Sequence, residues 1–206
     1  LYLMAWIPGW DREWLPYYRN EPIKNSNRIW NGCFAIPRTL SLVDGRIVQS
    51  PVTAMKELRT AHFELGPKAL PVSGPMTAID VLEGCTGDQL EIKVQFRLSK
   101  ASFCGINVLS DSEGAGGLPI VWSGDLLKVD GVTVPMEEWE PGAVLDLHLF
   151  VDKKMVEVFV NGGKYCISRQ VAEENVRGKH LALTSLGGTA RLVSFEAWEL
   201  ASINER

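Results

Sequence analysis

The sequence predicts an all-β protein, and three observations support this class. Short runs of β-branched and aromatic residues recur along the 206 residues, bounded by Gly, Pro, Asp and Asn. Asp-Gly pairs at positions 44–45 and 130–131 are typical of hairpin turns, because glycine accepts the positive φ that these turns need. Helical periodicity is scarce. Many short strands at regular spacing favour a two-sheet antiparallel β-sandwich of the concanavalin or jelly-roll kind.

The strands predicted from these runs cover most of the chain. In order, they are Leu1–Ile7, Gly32–Ile36, Arg38–Val43, Arg46–Gln49, Ala61–Leu65, Met76–Leu82, Asp88–Leu98, Ser102–Ser110, Pro119–Trp122, Asp125–Val129, Val132–Val134, Val144–Val151, Met155–Val160, Tyr165–Ser168, His180–Leu186 and Arg191–Leu200. The segments Asp152–Lys154 and Asn161–Gly163 are predicted turns. One short helix is predicted at Val52–Arg59, because Pro51 stands at its start and apolar residues recur at every third position.

The clearest predicted hairpin joins two alternating strands near residue 150. Leucines at positions 145, 147 and 149 alternate with other residues, and valines at 156, 158 and 160 do the same. Successive side chains of a strand point to opposite faces, so each of these strands has one face toward the core. The residues predicted to be buried between the two sheets are Leu147, Leu149, Val156, Val158, Leu183 and Trp198.

Composition and charge argue against several classes of function. The net charge is -4, and no Lys/Arg cluster would neutralise a phosphate backbone, so no nucleic-acid partner is expected. No apolar run reaches the ~18 residues of a membrane span. The four cysteines form no CxxC pair, so we predict free thiols, no metal and no cofactor. Without a signal peptide, we expect a cytoplasmic protein. The chain starts within an apolar strand, so we also expect residues before Leu1.

The segment from Trp30 to Arg59 carries the most informative pattern. It reads W-N-G-C-F-A-I-P-R-T-L-S-L-V-D-G-R-I-V-Q-S-P-V-T-A-M-K-E-L-R, and it resembles the end of the catalytic propeller in glycoside hydrolase family 32, the β-fructofuranosidases. That family has W-x-G/H-x-x-x-x-P-R-E-L and then D-G-x-L-x-Q-x-P-V-x-E-L-x-x-L-R. The matching residues are Trp30, Gly32, Pro37, Arg38, Leu40, Asp44, Gly45, Gln49, Pro51, Val52, Leu58 and Arg59. Thr39 and Met55 depart from the pattern.

A second resemblance lies between Leu145 and Arg169. The string L-D-L-H-L-F-V-D-K-K-M-V-E-V-F-V-N-G-G-K-Y-C-I-S-R is similar to the L-x-V-F-V-D-x-S-x-V-E-V-F-x-N-D-G-x-x-x-x-x-S-R of the family's sandwich. The run Gly188–Leu200 resembles the family's last strand, with Trp198 expected as a core anchor. The two strings stand in the right order at the right distance, so the resemblance covers most of the chain.

The resemblance implies two parts and an inactive chain. Residues 1–58 would be the remnant of the last blade of a truncated five-bladed β-propeller with its connector, and residues 59–206 the C-terminal β-sandwich domain. The parent enzyme would hydrolyse β-fructofuranosides of the sucrose, levan or inulin type by a retaining reaction, with two carboxylates about 5 Å apart. The family's W-M-N-D-P-N, E-C and R-D-P motifs do not occur here. We therefore predict no catalytic residue and a structural role, and interpret Asp44, Asp152 and Glu157 as residues of turns and solvent-facing surfaces.

An aromatic cluster near the start is the candidate binding site. The resemblance implies that Trp6, and next Trp10, lie near the fructosyl pocket of the parent enzyme. The alternative is that these side chains pack inside and between propeller blades. The expected partners are a fructoside carbohydrate and either the missing N-terminal propeller portion or a second copy of the chain. Two other hypotheses remain open, namely a free-standing carbohydrate-binding module and a purely structural or interaction fragment.

Overall fold

The computed structural model describes residues 1–8, 32–70, 78–98, 103–123, 126–136, 140, 142–186 and 190–203, and it confirms an all-β fold. The strands are β1 (Tyr2–Leu3), β2 (Trp6–Pro8), β3 (Gly32–Phe34), β4 (Arg38–Val43), β5 (Arg46–Pro51), β6 (Arg59–Leu65), β7 (Lys68–Ala69), β8 (Ala78–Thr86), β9 (Gln89–Arg97), β10 (Phe103–Ser110), β11 (Leu118–Ser123), β12 (Leu126–Val129), β13 (Val132–Pro135), β14 (Val144–Asp152), β15 (Met155–Val160), β16 (Tyr165–Gln170), β17 (His180–Leu186) and β18 (Arg191–Leu200).

Two antiparallel sheets make up the sandwich in the described residues. One has the order β13-β12-β11-β10-β17-β8, and the other has the order β16-β15-β14-β9-β18-β6 with β7 beside β18. The predicted β14–β15 hairpin is confirmed, with Leu149 opposite Val158. The Asp-Gly turn at Asp130 has φ of 44° and then 76° at Gly131, which are the two positive values of a type I′ turn.

Smaller strand groups precede the sandwich in sequence. Strands β1, β4 and β5 form one sheet, and β2 pairs with β3. A 3-10 helix at Thr53–Leu58 then leads into β6. It lies within the segment Val52–Arg59, for which the sequence predicts a helix. It lies between extended residues at both ends and has no side-chain cap, and such short segments often take the tighter 3-10 form. We call residues 35–58, which contain β4, β5 and this helix, the connector.

The core lies between the two large sheets. Five of the six predicted core residues, all except Trp198, are fully buried there. The prediction for Trp198 was wrong, because its neighbours Phe195 and Ala197 take the core-facing positions of β18. Alternation along the strand then places Trp198 on the outer face of the sheet. No helical segment in the described ranges has the length and apolar character of a membrane span.

Candidate functional site

Trp6, the first candidate binding residue, begins β2 and lies directly opposite Phe34 of β3. Half of its side-chain surface is exposed, and Phe34 is 71% exposed. An aromatic ring that reaches the surface could stack on the face of a sugar ring, and no observation in the structure tests this. The role of Trp6 in substrate binding therefore stays a prediction. Trp10 lies outside the described residues.

The outer face of the β16–β6 sheet carries a continuous row of polar and aromatic side chains. These residues stand opposite one another on neighbouring strands. On β9, β14 and β15 the positions on either side point into the core, and on β18 the preceding residue, Ala197, does so. From β6 to β16, the row consists of His62, Trp198, Glu91, Phe150, Glu157 and Ser168. Two buried carboxylates therefore lie in one row, separated by one phenylalanine.

The Glu157 carboxylate binds the start of the connector. Its Oε1 accepts a hydrogen bond from the Ile36 backbone N–H at 2.6 Å, and its Oε2 pairs with the Arg38 guanidinium. Arg38 also donates to Gln49 at 2.8 Å and to Ser168 at 3.2 Å. Both members of the ion pair are buried, and hydrogen bonds to a charged group are about twice as strong as neutral ones. This contact therefore fixes β4 against β15 and β16.

The Glu91 carboxylate binds the residue that follows the connector. Arg59 donates from Nε to Oε2 at 2.7 Å and from a terminal nitrogen to Oε1 at 2.5 Å. The His148 Nε2 lies 2.8 Å from the same Oε1. Burial by itself raises the pKa of Glu91, but hydrogen bonds from Arg59 and His148 outweigh it and lower the pKa to about 2. Glu91 is therefore ionised throughout the neutral range. We call these two contacts the Glu157 clamp and the Glu91 clamp.

A cavity of about 230 Å³ lies between the connector and the outer face. The connector side is formed by residues 49–53, Met55 and Lys56, and the sheet side by Glu91, Asp146, His148, Phe150, Phe159, Gly162 and Gly163. One edge is closed by the Gln49 backbone N–H, which donates to the Gly163 carbonyl at 3.1 Å. The described residues contain no cluster of three or more His, Cys, Asp or Glu side chains that could hold a metal ion.

Trp198 supports the Glu91 clamp from its place in the row. The Arg59 guanidinium carbon lies 3.6 Å from the Trp198 ring centroid, which is close enough for a cation–π interaction. The His62 ring stacks on Trp198 with centroids 4.9 Å apart. Trp198 is therefore half-buried under polar and cationic side chains, which explains why a large aromatic residue occupies the outer face.

The cysteines show no sign of activation. All four thiols are free, and Cys85 and Cys104 are buried in the sandwich core. Burial raises the pKa of Cys85 to about 11 and that of Cys104 to about 12. Because the thiolate is the nucleophilic form, these two thiols are unreactive at neutral pH.

The sequence did not reveal the two clamps. The prediction that Glu157 belongs to a turn or a solvent-facing surface is wrong, because its side chain is buried against Arg38. Alternation along β15 does place Glu157 on the outer face, but it cannot show that the connector covers that face. The sequence contained one indication that these two residues matter, because both Glu157 and Arg38 belong to the strings that carry the family resemblance.

The sequence profile described as "Glycosyl hydrolases family 32 C terminal" matches residues 58–199. Among curated proteins, the chain is 27% identical over 206 residues to a raffinose invertase of Escherichia coli, covering 96% of this chain and 39% of that protein. It is 26% identical over 222 residues to a levanbiose-producing levanase of Bacillus subtilis, covering 99% of this chain and 40% of that protein. The chain thus spans about two fifths of the length of these relatives.

Two solved structures share the fold. Fructan 1-exohydrolase IIa from Cichorium intybus superposes with a TM-score of 0.74 at 16% identity, covering 98% of this chain and 45% of that one. Sucrose-6-phosphate hydrolase from Lactobacillus gasseri superposes with a TM-score of 0.67 at 19% identity, covering 98% of this chain and 39% of that one. At these identities the likeness establishes the fold alone.

Proposed function

The chain belongs to glycosyl hydrolase family 32, and we propose that it is the C-terminal part of an enzyme that hydrolyses β-fructofuranosides such as sucrose, levan or inulin. Within this enzyme the sandwich would brace the catalytic propeller. The observation that carries the proposal is the pair of clamps, in which Glu157 and Glu91 hold the two ends of the connector. The relatives named as an invertase and a levanase support this substrate class.

The proposed partner of this chain is the N-terminal propeller portion. Leu1, Tyr2, Phe34, Leu42 and Ile47 are each at least 65% exposed, and all of them precede the sandwich. Leu42 and Ile47 stand opposite each other in the β4–β5 hairpin, and contiguous exposed apolar side chains mark interaction sites. A chain that spans about two fifths of its relatives leaves a large part of the parent to cover these residues. We divide the chain into a propeller remnant and connector at residues 1–58 and a sandwich at 59–206.

We propose that the chain alone is inactive. A retaining glycosidase needs one carboxylate as nucleophile and one protonated carboxylic acid near neutral pH. The two buried carboxylates of the outer face are both bound by arginine, and a pKa of about 2 keeps Glu91 ionised. Glu91 is therefore not suited to donate a proton to a leaving group, and both oxygens of Glu157 are occupied by Arg38 and the Ile36 N–H.

The test is hydrolysis of sucrose, levan and inulin by the purified chain, with a full-length family 32 invertase as the positive control. We expect no release of fructose. Turnover that persists after removal of host enzymes, and that is lost on substitution of a carboxylate of this chain, would overturn the proposal. Sequencing upstream of Leu1 provides an independent test, because the parent gene should encode an in-frame W-M-N-D-P-N motif.

A carbohydrate-binding module is the second candidate, and the half-exposed ring of Trp6 favours it. Titration with sucrose, levan and inulin would be followed by tryptophan fluorescence in the unmodified chain and in Trp6→Ala. A saturable change that disappears in the variant would support binding at Trp6. No change in either protein would leave the bracing function as the better account.

We also propose a cytoplasmic location, on the basis of the four free thiols. Free cysteines persist in reducing compartments, whereas secreted proteins tend to form disulfides. Fractionation of the source cells tests this, and recovery of the parent enzyme in the culture medium would contradict it.

A further inference from the structure

Glu157 belongs to the sandwich but binds the backbone that leads away from β3. Its Oε1 accepts from the Ile36 N–H, and Ile36 lies two residues beyond the end of β3. A carboxylate that accepts a backbone N–H fixes the path of the chain as well as the position of a side chain. The buried Arg38 ion pair holds the same carboxylate in place from the other side.

A short chain of contacts connects this carboxylate to Trp6. The residue before Ile36 is Ala35, whose N–H donates to the Ala5 carbonyl at 2.7 Å. Trp6 is the next residue, and it lies opposite Phe34 in the β2–β3 register. Two hydrogen bonds donated by backbone amides therefore join the sandwich to the strand that carries Trp6: Ile36 donates to the Glu157 carboxylate, and Ala35 donates to the Ala5 carbonyl.

The side chains around Glu157 hold its carboxylate in one position. Arg38 lies over the Phe159 ring, with its guanidinium carbon 4.9 Å from the ring centroid, and it also binds Gln49 and Ser168. Planar guanidinium groups held by several partners lose little further freedom on binding a carboxylate. The Glu157 carboxylate therefore has a defined place from which to orient Ile36.

Glu91 provides a natural comparison. It is equally buried, lies in the same cross-strand row and also binds an arginine. Its partners Arg59 and His148, however, lie beyond the connector. Loss of either carboxylate removes a buried ion pair, but only Glu157 contacts the segment next to β3.

We propose that Glu157 is a positioning residue that sets the place of the β2–β3 pair, and with it Trp6, relative to the sandwich. The inference rests in one respect on the second candidate function, since Trp6 is the proposed carbohydrate contact there. The positioning itself is a property of the ligand-free chain and can be tested without any carbohydrate.

The experiment uses the full chain labelled with 5-fluorotryptophan and observed by ¹⁹F NMR, with the Trp6 signal assigned from Trp6→Phe. We expect Glu157→Gln to shift or broaden the Trp6 signal and to leave that of the core residue Trp122 in place. Glu91→Gln should move the signal of Trp198, which contacts Arg59, and leave that of Trp6 unchanged. Hydrogen exchange gives a second readout, because the Ala35 amide should exchange roughly 10- to 100-fold faster in Glu157→Gln.

The core amide of Ile106 separates local from global effects. It lies in β10 opposite Leu183, so its exchange reports opening of the sandwich. If Glu157→Gln accelerates Ala35 and Ile106 equally, or if Glu91→Gln moves Trp6 as much as Glu157→Gln does, Glu157 is only a stabilising residue and the proposal is overturned. An unmoved Trp6 signal in Glu157→Gln overturns it as well. Should Glu157→Gln not fold, Glu157→Asp keeps the charge but withdraws the carboxylate from Ile36, and the same predictions apply.

A separate titration distinguishes this proposal from the proposed function. Sucrose, levan and inulin are added to the labelled chain without substitutions. Failure of all three to change the Trp6 signal would count against a fructoside contact at Trp6 but would leave the ligand-free coupling to Glu157 unaffected.

Discussion

Glu91 and Glu157 show how one position in a β-sheet can anchor a distant segment. Both lie on the outer face, with Phe150 between them. Glu157 pairs with Arg38 and Glu91 pairs with Arg59, and both arginines lie in the first third of the chain. A buried charge is tolerated when it is paired and hydrogen-bonded. Loss of one partner leaves the other charge uncompensated, so each clamp is sensitive to a single substitution.

Glu91 predicts an acid-dependent loss of stability. Its pKa in the folded chain, about 2, lies below the value of an unperturbed carboxyl, so ionised Glu91 favours the folded state at neutral pH. This contribution is fully present above pH ~4.5 and is lost as the pH falls toward 2. It amounts to about 3 kcal/mol by the usual conversion of a pKa difference. Urea unfolding from pH 6 to pH 2 would measure it.

The control variants decide whether Glu91 is the cause. Glu91→Gln should lower the free energy of unfolding at pH 7 by roughly 3–5 kcal/mol, because Arg59 loses its charged partner. The same variant should lose about 3 kcal/mol less than the parent chain between pH 6 and pH 2. Glu64→Gln removes an exposed carboxylate and should keep the parent's pH profile. A Glu91→Gln profile as steep as the parent's would assign the acid sensitivity to other groups.

Gly163 predicts a second residue-scale effect. Its φ is +89°, and a Cβ there would overlap the carbonyl oxygen of Gln49 in the connector. Gly162 has a φ of +69° with open space around it, so it provides a matched control for backbone strain. Gly162→Ala should cost about 1–2 kcal/mol, whereas Gly163→Ala should cost more and should speed hydrogen exchange of the Gln49 amide. Equal effects in the two variants would show that close approach of the connector is unimportant.

At the scale of elements, the local pattern of side chains predicted the strands. Contacts between residues far apart along the chain could not be predicted in this way. Alternation and Asp-Gly turns identified nearly every strand, and β4, β15, β17 and β18 have the predicted bounds. Strand β7 was missed because a strand of two residues has no alternation to detect. The Arg38–Glu157 pair joins residues 119 positions apart, and no periodicity within either segment shows that they meet.

In strand β18, the alternation of side chains between the two faces decides which residues enter the core. The resemblance of residues 188–200 to the family's last strand predicts Trp198 as a core anchor, yet Phe195 and Ala197 define the inward face. We therefore expect Phe195→Ala to cost roughly 3–5 kcal/mol, as for a buried aromatic side chain. Trp198→Ala should cost about 0.5–2 kcal/mol, because it removes mainly a cation–π contact with Arg59. Urea unfolding of both variants would measure the difference, and equal costs would show that Trp198 carries core-like packing.

At the scale of the whole molecule, the two large sheets and the strands before them differ in how they are covered. The sandwich encloses its own apolar residues, with Phe96, Trp122 and Phe195 among the largest fully buried side chains. The clamps fix the connector to the outer face of one sheet. Exposed apolar side chains are concentrated in residues 1–47, where Leu42 and Ile47 stand opposite each other in the β4–β5 hairpin. This distribution predicts where the isolated chain associates.

We expect the isolated chain to associate through this hairpin as its concentration rises. Leu42 is 74% exposed and Ile47 is 65% exposed, so the double substitution Leu42→Ser with Ile47→Ser should change the free energy of unfolding by no more than about 0.5 kcal/mol per residue. It should nevertheless shift sedimentation velocity profiles toward the monomer, because it removes paired apolar surface.

Ile203→Ser is the control, since that side chain is also 72% exposed but lies near the other end of the sequence. If the double variant associates as strongly as the unsubstituted chain, the hairpin is not the contact surface. If the Ile203 variant becomes monomeric instead, the contact surface lies near Ile203 in the sandwich. The exposed side chains of residues 1–47 would then no longer support the proposal that a propeller docks there.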